Sequence, residues 1–165
     1  MAETHAEQLI EEVLGQALSL RKLTLAVAES CTGGLICSRL TNVPGSSAYF
    51  LGGMVVYSYE AKERLLGVRH ATLYDHGAVS EPTAREMAQG VRETVAADLG
   101  LAVTGIAGPG GGMPGKPVGL TWIALSSRDK SVARQFIWQG DSLANKSSSA
   151  EAALRLVKDY LDGAV

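Results

Sequence analysis

The sequence holds only two cysteines in 165 residues, too few for a disulfide-stapled scaffold. Cys31 and Cys37 stand six apart on a segment read as helical and lack metal-ligand company, so both are expected to be small packing residues and no metal site is expected. Aromatic residues are 5% of the chain, too sparse for a base-stacking platform. Trp122, Trp138 and the Tyr49–Phe50 pair lie in apolar strand contexts and are expected in the core or at subunit contacts. No charge dominates: 15 basic against 17 acidic residues give a net charge of −2. That balance argues against a dedicated nucleic-acid or membrane-surface binder, so any anionic ligand must be held locally. No apolar run approaches the roughly 18 residues of a membrane span. Met1 to Gln8 carries acids where a signal peptide needs basic and then apolar residues. A cytoplasmic protein with no membrane partner is expected.

What the chain does have is glycine, 19 residues in clusters, on a background that is 46% apolar. Clustered glycine points to loops defined by their backbone. Leu9, Ile10, Val13, Leu14, Ala17 and Leu20 recur at helical spacing over 4–21, with Thr4 and Glu7 set as a capping box. Leu23 to Ala28 is a short apolar run with no polar alternation, the pattern of a strand buried on both faces. A helix is predicted from near Thr32 to Leu40, a strand over 53–58 and a short helix over 60–66. Pro82 sits at a helix start after Ser80-Glu81, and an apolar stripe runs on toward Leu99. A strand at 101–104 enters Gly105 to Pro117, whose six glycines and three prolines exclude helix or central strand. Two strands over 118–126 and 132–138 read as a hairpin, and a last helix covers 148–161 with Gly163 as its stop. This order predicts an α/β fold: one domain, a layered sandwich with a mixed, mostly parallel sheet covered by helices. Loops that follow strands gather at the carboxyl edge of such a sheet, where open α/β folds bind ligands.

The segment Ala28-Glu29-Ser30-Cys31-Thr32-Gly33-Gly34 puts a serine between a buried strand and a helix start. A hydroxyl there suits a nucleophile, with the amides of Thr32, Gly33 or Gly34 as an oxyanion hole. From the motif alone, plain helix capping by Ser30 and Thr32 is the leading alternative. A serine nucleophile needs a base, and none of His5, His70 and His76 is convincing, the last two flanking what reads as a polar loop. Lys62, just past a buried strand, is the alternative if burial lowers its pKa, with Tyr57 as relay or orienting hydroxyl; an ordinary exposed helix lysine is the competing reading. Gly110 to Lys116 fits the first seven positions of a phosphate loop, but Pro117 replaces the hydroxyl residue and a strand follows, so the nucleotide-hydrolase reading is rejected. What remains is a nest of amides around Gly105, Gly108, Gly110 and Gly111, with Lys116 near it, able to hold one phosphate or carboxylate, or a surface loop with no ligand.

Five segments, AESCTGG, PGSSAYF, YSYEAK with LLGV, HGAVSEP and TGIAGPGGG with KPVG, stand in the order and spacing of a known family. The chain resembles the CinA C-terminal domain family over about residues 6 to 162, in its stand-alone form. The family's characterised activity is nicotinamide-nucleotide amidase. The resemblance implies hydrolysis of the carboxamide of nicotinamide mononucleotide to nicotinate mononucleotide and ammonia, with no cofactor. It implies Ser30 as nucleophile, Lys62 as its base and Tyr57 assisting, with Thr104 and the glycine loop shaping the substrate site. The sequence departs from the family after Gly140-Asp141, where two arginines four apart are usual and Ser142 and Lys146 stand instead. Lys146 would supply a point charge where a planar fork is usual. Tyr59 replaces a common asparagine. The alternatives are a paralogue that binds pyridine nucleotides without turnover and an amidase for another small amide. A homo-oligomer is expected from the apolar stretch 49–56.

Overall fold

The computed structural model describes residues 8–165, so the Thr4–Glu7 capping box lies outside the described residues. Helix α1 (Ile10–Arg21) leads into β1 (Leu25–Glu29), then α2 (Leu35–Thr41), a 3-10 turn (Ser46–Ala48) and β2 (Phe50–Val55). Helices α3 (Tyr59–Leu66), α4 (His70–His76) and α5 (Glu81–Val95) follow, then β3 (Leu99–Gly105), β4 (Leu120–Ser126), β5 (Ser131–Ile137) and α6 (Ser142–Leu161). The strands form one mixed sheet in the order β2-β1-β3-β4-β5. β1 pairs in parallel with β2 and with β3, while β3, β4 and β5 run antiparallel. No described helix is long and apolar enough to cross a membrane.

Side-chain alternation divides the core into two unlike halves. Leu25, Val27, Leu101, Val103, Ile123 and Leu125 face α1, α2 and α6, meeting Leu14, Leu18, Ile36, Leu40, Leu154 and Val157. The other face is built of Ala26, Ala28, Ala102 and Ala124 and receives Leu66, Met87 and Val91 from α3 and α5. Alanine rows let α5 lie close to the sheet. A Cβ on Gly100 would collide with the Ala88 carbonyl, and one on Gly90 with the Leu66 carbonyl.

Several boundaries differ from the sequence reading, each for a local reason. α6 begins at Ser142, not 148, because Asp141 accepts from the Ala144 amide at 2.8 Å and caps the helix there. This places Ser142 and Lys146 one turn apart at its amino end. β2 lies earlier than 53–58, and the chain has already left the sheet at Ser58, whose side chain caps α3 from the Ala61 amide. His70 and His76 bound a short helix rather than a polar loop. The first helix after β1 starts at Leu35 instead of Thr32, with consequences for the site.

Candidate active site

Three segments converge at the carboxyl edge of β1 and β3. The first is the turn after β1. Its Ser30 amide donates to the Val103 carbonyl, so the nucleophile candidate is pinned to β3 before the chain leaves the sheet. Gly33 and Gly34 then take φ of 61° and 102°, left-handed values that favour glycine. The start of α2 is capped by a residue the sequence reading passed over. Glu29 is fully buried, and its carboxylate accepts from the amides of Gly34 (3.0 Å), Ile36 (3.2 Å) and Cys37 (2.8 Å). An acid ending an apolar strand just before a helix was the available signal, since carboxylates complement helix amino ends.

This cap corrects the expected oxyanion hole. The Gly34 amide is committed to Glu29, and the Gly33 amide donates to the Ser30 carbonyl at 3.1 Å. Of the three amides, only that of Thr32 has neither a backbone nor a side-chain acceptor among the described residues. The Thr32 hydroxyl is also buried without a partner.

The second segment brings Lys62. The lysine lies on the buried side of α3, 1% exposed, while Glu63 turns out to His70 and Glu60 is exposed. Its Nζ lies 2.8 Å from the Val56 carbonyl, 3.2 Å from the Tyr57 carbonyl and 3.1 Å from Ser30 Oγ. Burial pushes its pKa from the ordinary lysine range down to about 8. The three contacts suit both protonation states, since the ammonium donates to all three partners and the neutral amine keeps two of those bonds. In the neutral amine the two carbonyls, which can only accept, take the two N–H groups, and the lone pair is left for the single partner able to donate, the Ser30 hydroxyl.

Tyr57 is placed otherwise than expected. It is 75% exposed, and what it gives Lys62 is its backbone carbonyl; its hydroxyl bonds neither Ser30 nor Lys62. The ring instead walls a cleft of about 400 Å³ whose lining includes Cys31, Gly105, Gly108, Gly110, Gly111, Ser142 and Lys146. Lys146, on the first turns of α6, therefore lines the cleft, which meets the nucleophile turn at Cys31 and is not lined by Ser30 or Lys62, and it has no carboxylate partner among the described residues. Cys31, beside the nucleophile, is held as a thiol: burial and the Glu29 charge push its pKa up to about 11.

The third segment is the glycine loop after β3, with positive φ at Gly108 and Gly111. Lys116 does not serve an anion nest there, because its amine donates to the His76 carbonyl at the end of α4. Thr104 is buried and donates to the Ala78 carbonyl at 2.8 Å, while the Ala78 amide donates to the Tyr59 hydroxyl at 3.2 Å. Thr104 and Tyr59 thus hold the α4–α5 connection against the strand end. Sequence reasoning also missed Asn145, a buried amide inside α6 that donates to the Ala107 carbonyl and accepts from the Gly140 amide, both at 3.0 Å. Asparagine among alanines and serines of a helix interior was its only trace.

The family model described as the CinA C-terminal domain matches residues 7–161. The chain belongs to this family. A CinA-like protein of Chlorobaculum tepidum is 56% identical over 155 residues, which is 91% of this chain and 37% of that protein. One of Chloroherpeton thalassium is 53% identical over 157 residues, 93% of this chain and 37% of that protein. The CinA domain described here thus spans little more than a third of these relatives. A crystal structure of a CinA superfamily protein from Klebsiella pneumoniae superposes with a TM-score of 0.91 at 34% identity, covering 93% of this chain and 96% of that one. The competence/damage inducible protein of Agrobacterium tumefaciens gives 0.86 at 36% identity, with 95% and 99% covered. Sheet and helices are therefore those of the CinA domain.

Proposed function

We propose that this CinA domain is a serine–lysine amidase that hydrolyses the carboxamide of nicotinamide mononucleotide to nicotinate mononucleotide and ammonia. The observation that carries the reading is the buried Lys62 amine, 3.1 Å from Ser30 Oγ with both its other contacts on carbonyls. Ser30 Oγ attacks the carboxamide carbon while Lys62 Nζ takes the hydroxyl proton. The Thr32 amide donates to the oxygen that gains charge. Lys62 passes its proton to the departing nitrogen, ammonia leaves, and Ser30 carries the nicotinoyl ester. Lys62 then takes a proton from water, the hydroxide adds to the ester, and the proton returns to Ser30 as the acid departs. Lys146, across the cleft, supports the choice of a substrate with an anionic end.

Ammonia release from nicotinamide mononucleotide, with no metal added, is the direct test. Turnover is expected in the parent chain and a fall of roughly a thousandfold or more in Ser30→Ala and Lys62→Ala. Full activity in either variant refutes the mechanism. Calorimetric binding without ammonia release favours the non-catalytic paralogue, a reading kept in view by Ser142 and Lys146 standing where arginines are usual.

A further inference from the structure

Two arginines of this chain are equally shielded and are neutralised differently. The side chains of Arg39 and Arg92 are each 19% exposed. Arg39 meets two carboxylates, Glu11 at 2.6 Å and Glu151 at 2.7 Å. Arg92 meets only the exposed Glu93, at 3.3 Å, and spends its Nε on the Ser126 hydroxyl at 3.2 Å. Three of its five N–H groups thus have no protein acceptor among the described residues. A guanidinium this far out of water is poorly screened and gains from a close anion. Ser126 ends β4 and is 4% exposed, so its hydroxyl fixes the Arg92 charge against the sheet.

Arg92 lies where two cavities meet, at the end of the sheet where β3 begins and β4 ends, away from Ser30. The smaller, of about 250 Å³, lies against the β4–β5 turn, and Arg128, Lys130, Ser127 and Ser131 join Arg92 in its lining. Neither Arg128 nor Lys130 forms an ion pair among the described residues. Asp129 is the only carboxylate there, so three cations face one acid in a chain whose net charge is −2. The larger cavity, of about 460 Å³, is walled by Leu23, Ala97 and Leu99 and bordered by Glu93, Asp98 and Asp129. We propose that the two cavities together form a second ligand site, separate from the Ser30 cleft, that binds a nucleoside monophosphate. The phosphate occupies the smaller cavity, where Arg92 presents a planar fork and Arg128 and Lys130 add the charge a dianion needs. The nucleoside occupies the larger one, its base on the apolar wall and its sugar hydroxyls donating to the carboxylates. Those same carboxylates repel further phosphates, so a triphosphate fits less well. Strand β3 is seven residues long, roughly 20 Å, which keeps a ligand of this size clear of Ser30.

Isothermal titration calorimetry of the full chain with adenosine monophosphate tests this, beside adenosine, inorganic phosphate and adenosine triphosphate. A Kd below about 1 mM is expected for the monophosphate, with the other three at least about tenfold weaker. Arg128→Ala with Lys130→Ala, both at exposed positions, is expected to weaken the monophosphate at least ~10-fold while circular dichroism stays unchanged, and Arg92→Gln should weaken it as much. Lys146→Ala should leave this affinity unchanged, because Lys146 lines the cleft at the opposite end of the sheet. No binding of the monophosphate at about 5 mM overturns the proposal, as does adenosine, phosphate or the triphosphate binding equally well. Binding that Lys146→Ala abolishes and the double variant keeps also overturns it, by placing the nucleotide in the Ser30 cleft. Ammonia release from nicotinamide mononucleotide should be unchanged in the double variant, so failure of this site and failure of the amidase reading, which rests on Ser30 and Lys62, are told apart.

Discussion

Lys62 ties the proposed chemistry to the stability of the fold, so one titration examines both. Its pKa is about 8 in the folded chain and about 10.4 when unfolded. The unfolded chain therefore binds this proton more tightly, and folding is disfavoured wherever the amine must give up or bury it. The penalty is complete below about pH 8, where both states are protonated, amounts to about 3 kcal/mol, and fades as pH rises to the unfolded value. Between about pH 7 and 9 the linkage returns about 1 kcal/mol. Over the same interval the neutral fraction of the amine rises about tenfold, from about a tenth to about nine tenths, and kcat/KM should rise with it. The perturbation is Lys62→Met, and the assay is urea unfolding of both proteins at the two pH values beside initial rates of ammonia release. Absolute stabilities do not answer the question, because methionine leaves the Val56 and Tyr57 carbonyls without their donor. The difference in pH slope does, since other titrating groups cancel, and staying below about pH 9 avoids the Cys31 thiol. A wild-type slope equal to that of the variant, or a kcat/KM that is flat across this interval, would refute a buried neutral amine.

Glu29→Ala removes the acceptor of three amides at the start of a seven-residue helix and should destabilise the fold by about 2–4 kcal/mol, read by urea unfolding. Where the variant remains folded, kcat should fall more than KM changes, because the Ser30 turn loses its brace. Gly100→Ala pushes a methyl into the Ala88 carbonyl and the Arg92 side chain, and should lower Tm by about 5–10 °C with no change in the pH profile of activity. Lys146→Ala should raise KM for nicotinamide mononucleotide about tenfold or more with kcat nearly unchanged, and Lys146→Arg should restore or tighten binding. Equal loss in both constants would place Lys146 in the reaction step instead.

The elements that carried strong local signals were legible in the sequence. The apolar run leading into β1, without polar alternation, announced a strand flanked on both sides, and Pro82 after Ser80-Glu81 announced α5. The pairing of Ser30 with Lys62 was legible only through motifs and resemblance, since no periodicity brings together residues thirty-two apart. What stayed hidden was set by tertiary partners. The glycines at 33 and 34 read as helix and are a turn, because Glu29 reaches past them to cap at Leu35. Lys116 read as an anion ligand beside glycines and is bound to a helix end that the sequence reading had not recognised as a helix. Asp141 starts α6 six residues before the apolar stripe becomes visible, and only that early start turns Ser142 and Lys146 toward the cleft.

A fold that carries a lysine penalty of about 3 kcal/mol needs surroundings that cannot relax to let water reach the amine. The alanine face of the sheet supplies them. Ala26 and Ala28 on β1 leave so little height above the strands that α5 lies close against them, and the glycine at 90 brings α5 hard against the end of α3. α3 is thereby held down with Lys62 on its buried side, and its Ser58 cap fixes where the helix begins relative to the Val56 and Tyr57 carbonyls. A larger residue at Ala28 or Gly90 would lift α3, admit water and return the amine toward its ordinary pKa. The small residues beneath and beside the helix are therefore part of the base, although none of them touches a substrate. Ala28→Val offers the finest probe: it adds two methyl groups without a polar atom, and the kcat/KM profile should move toward higher pH even if the protein remains folded. A profile that stays in place while Tm falls would show that the dryness of Lys62 does not depend on this packing.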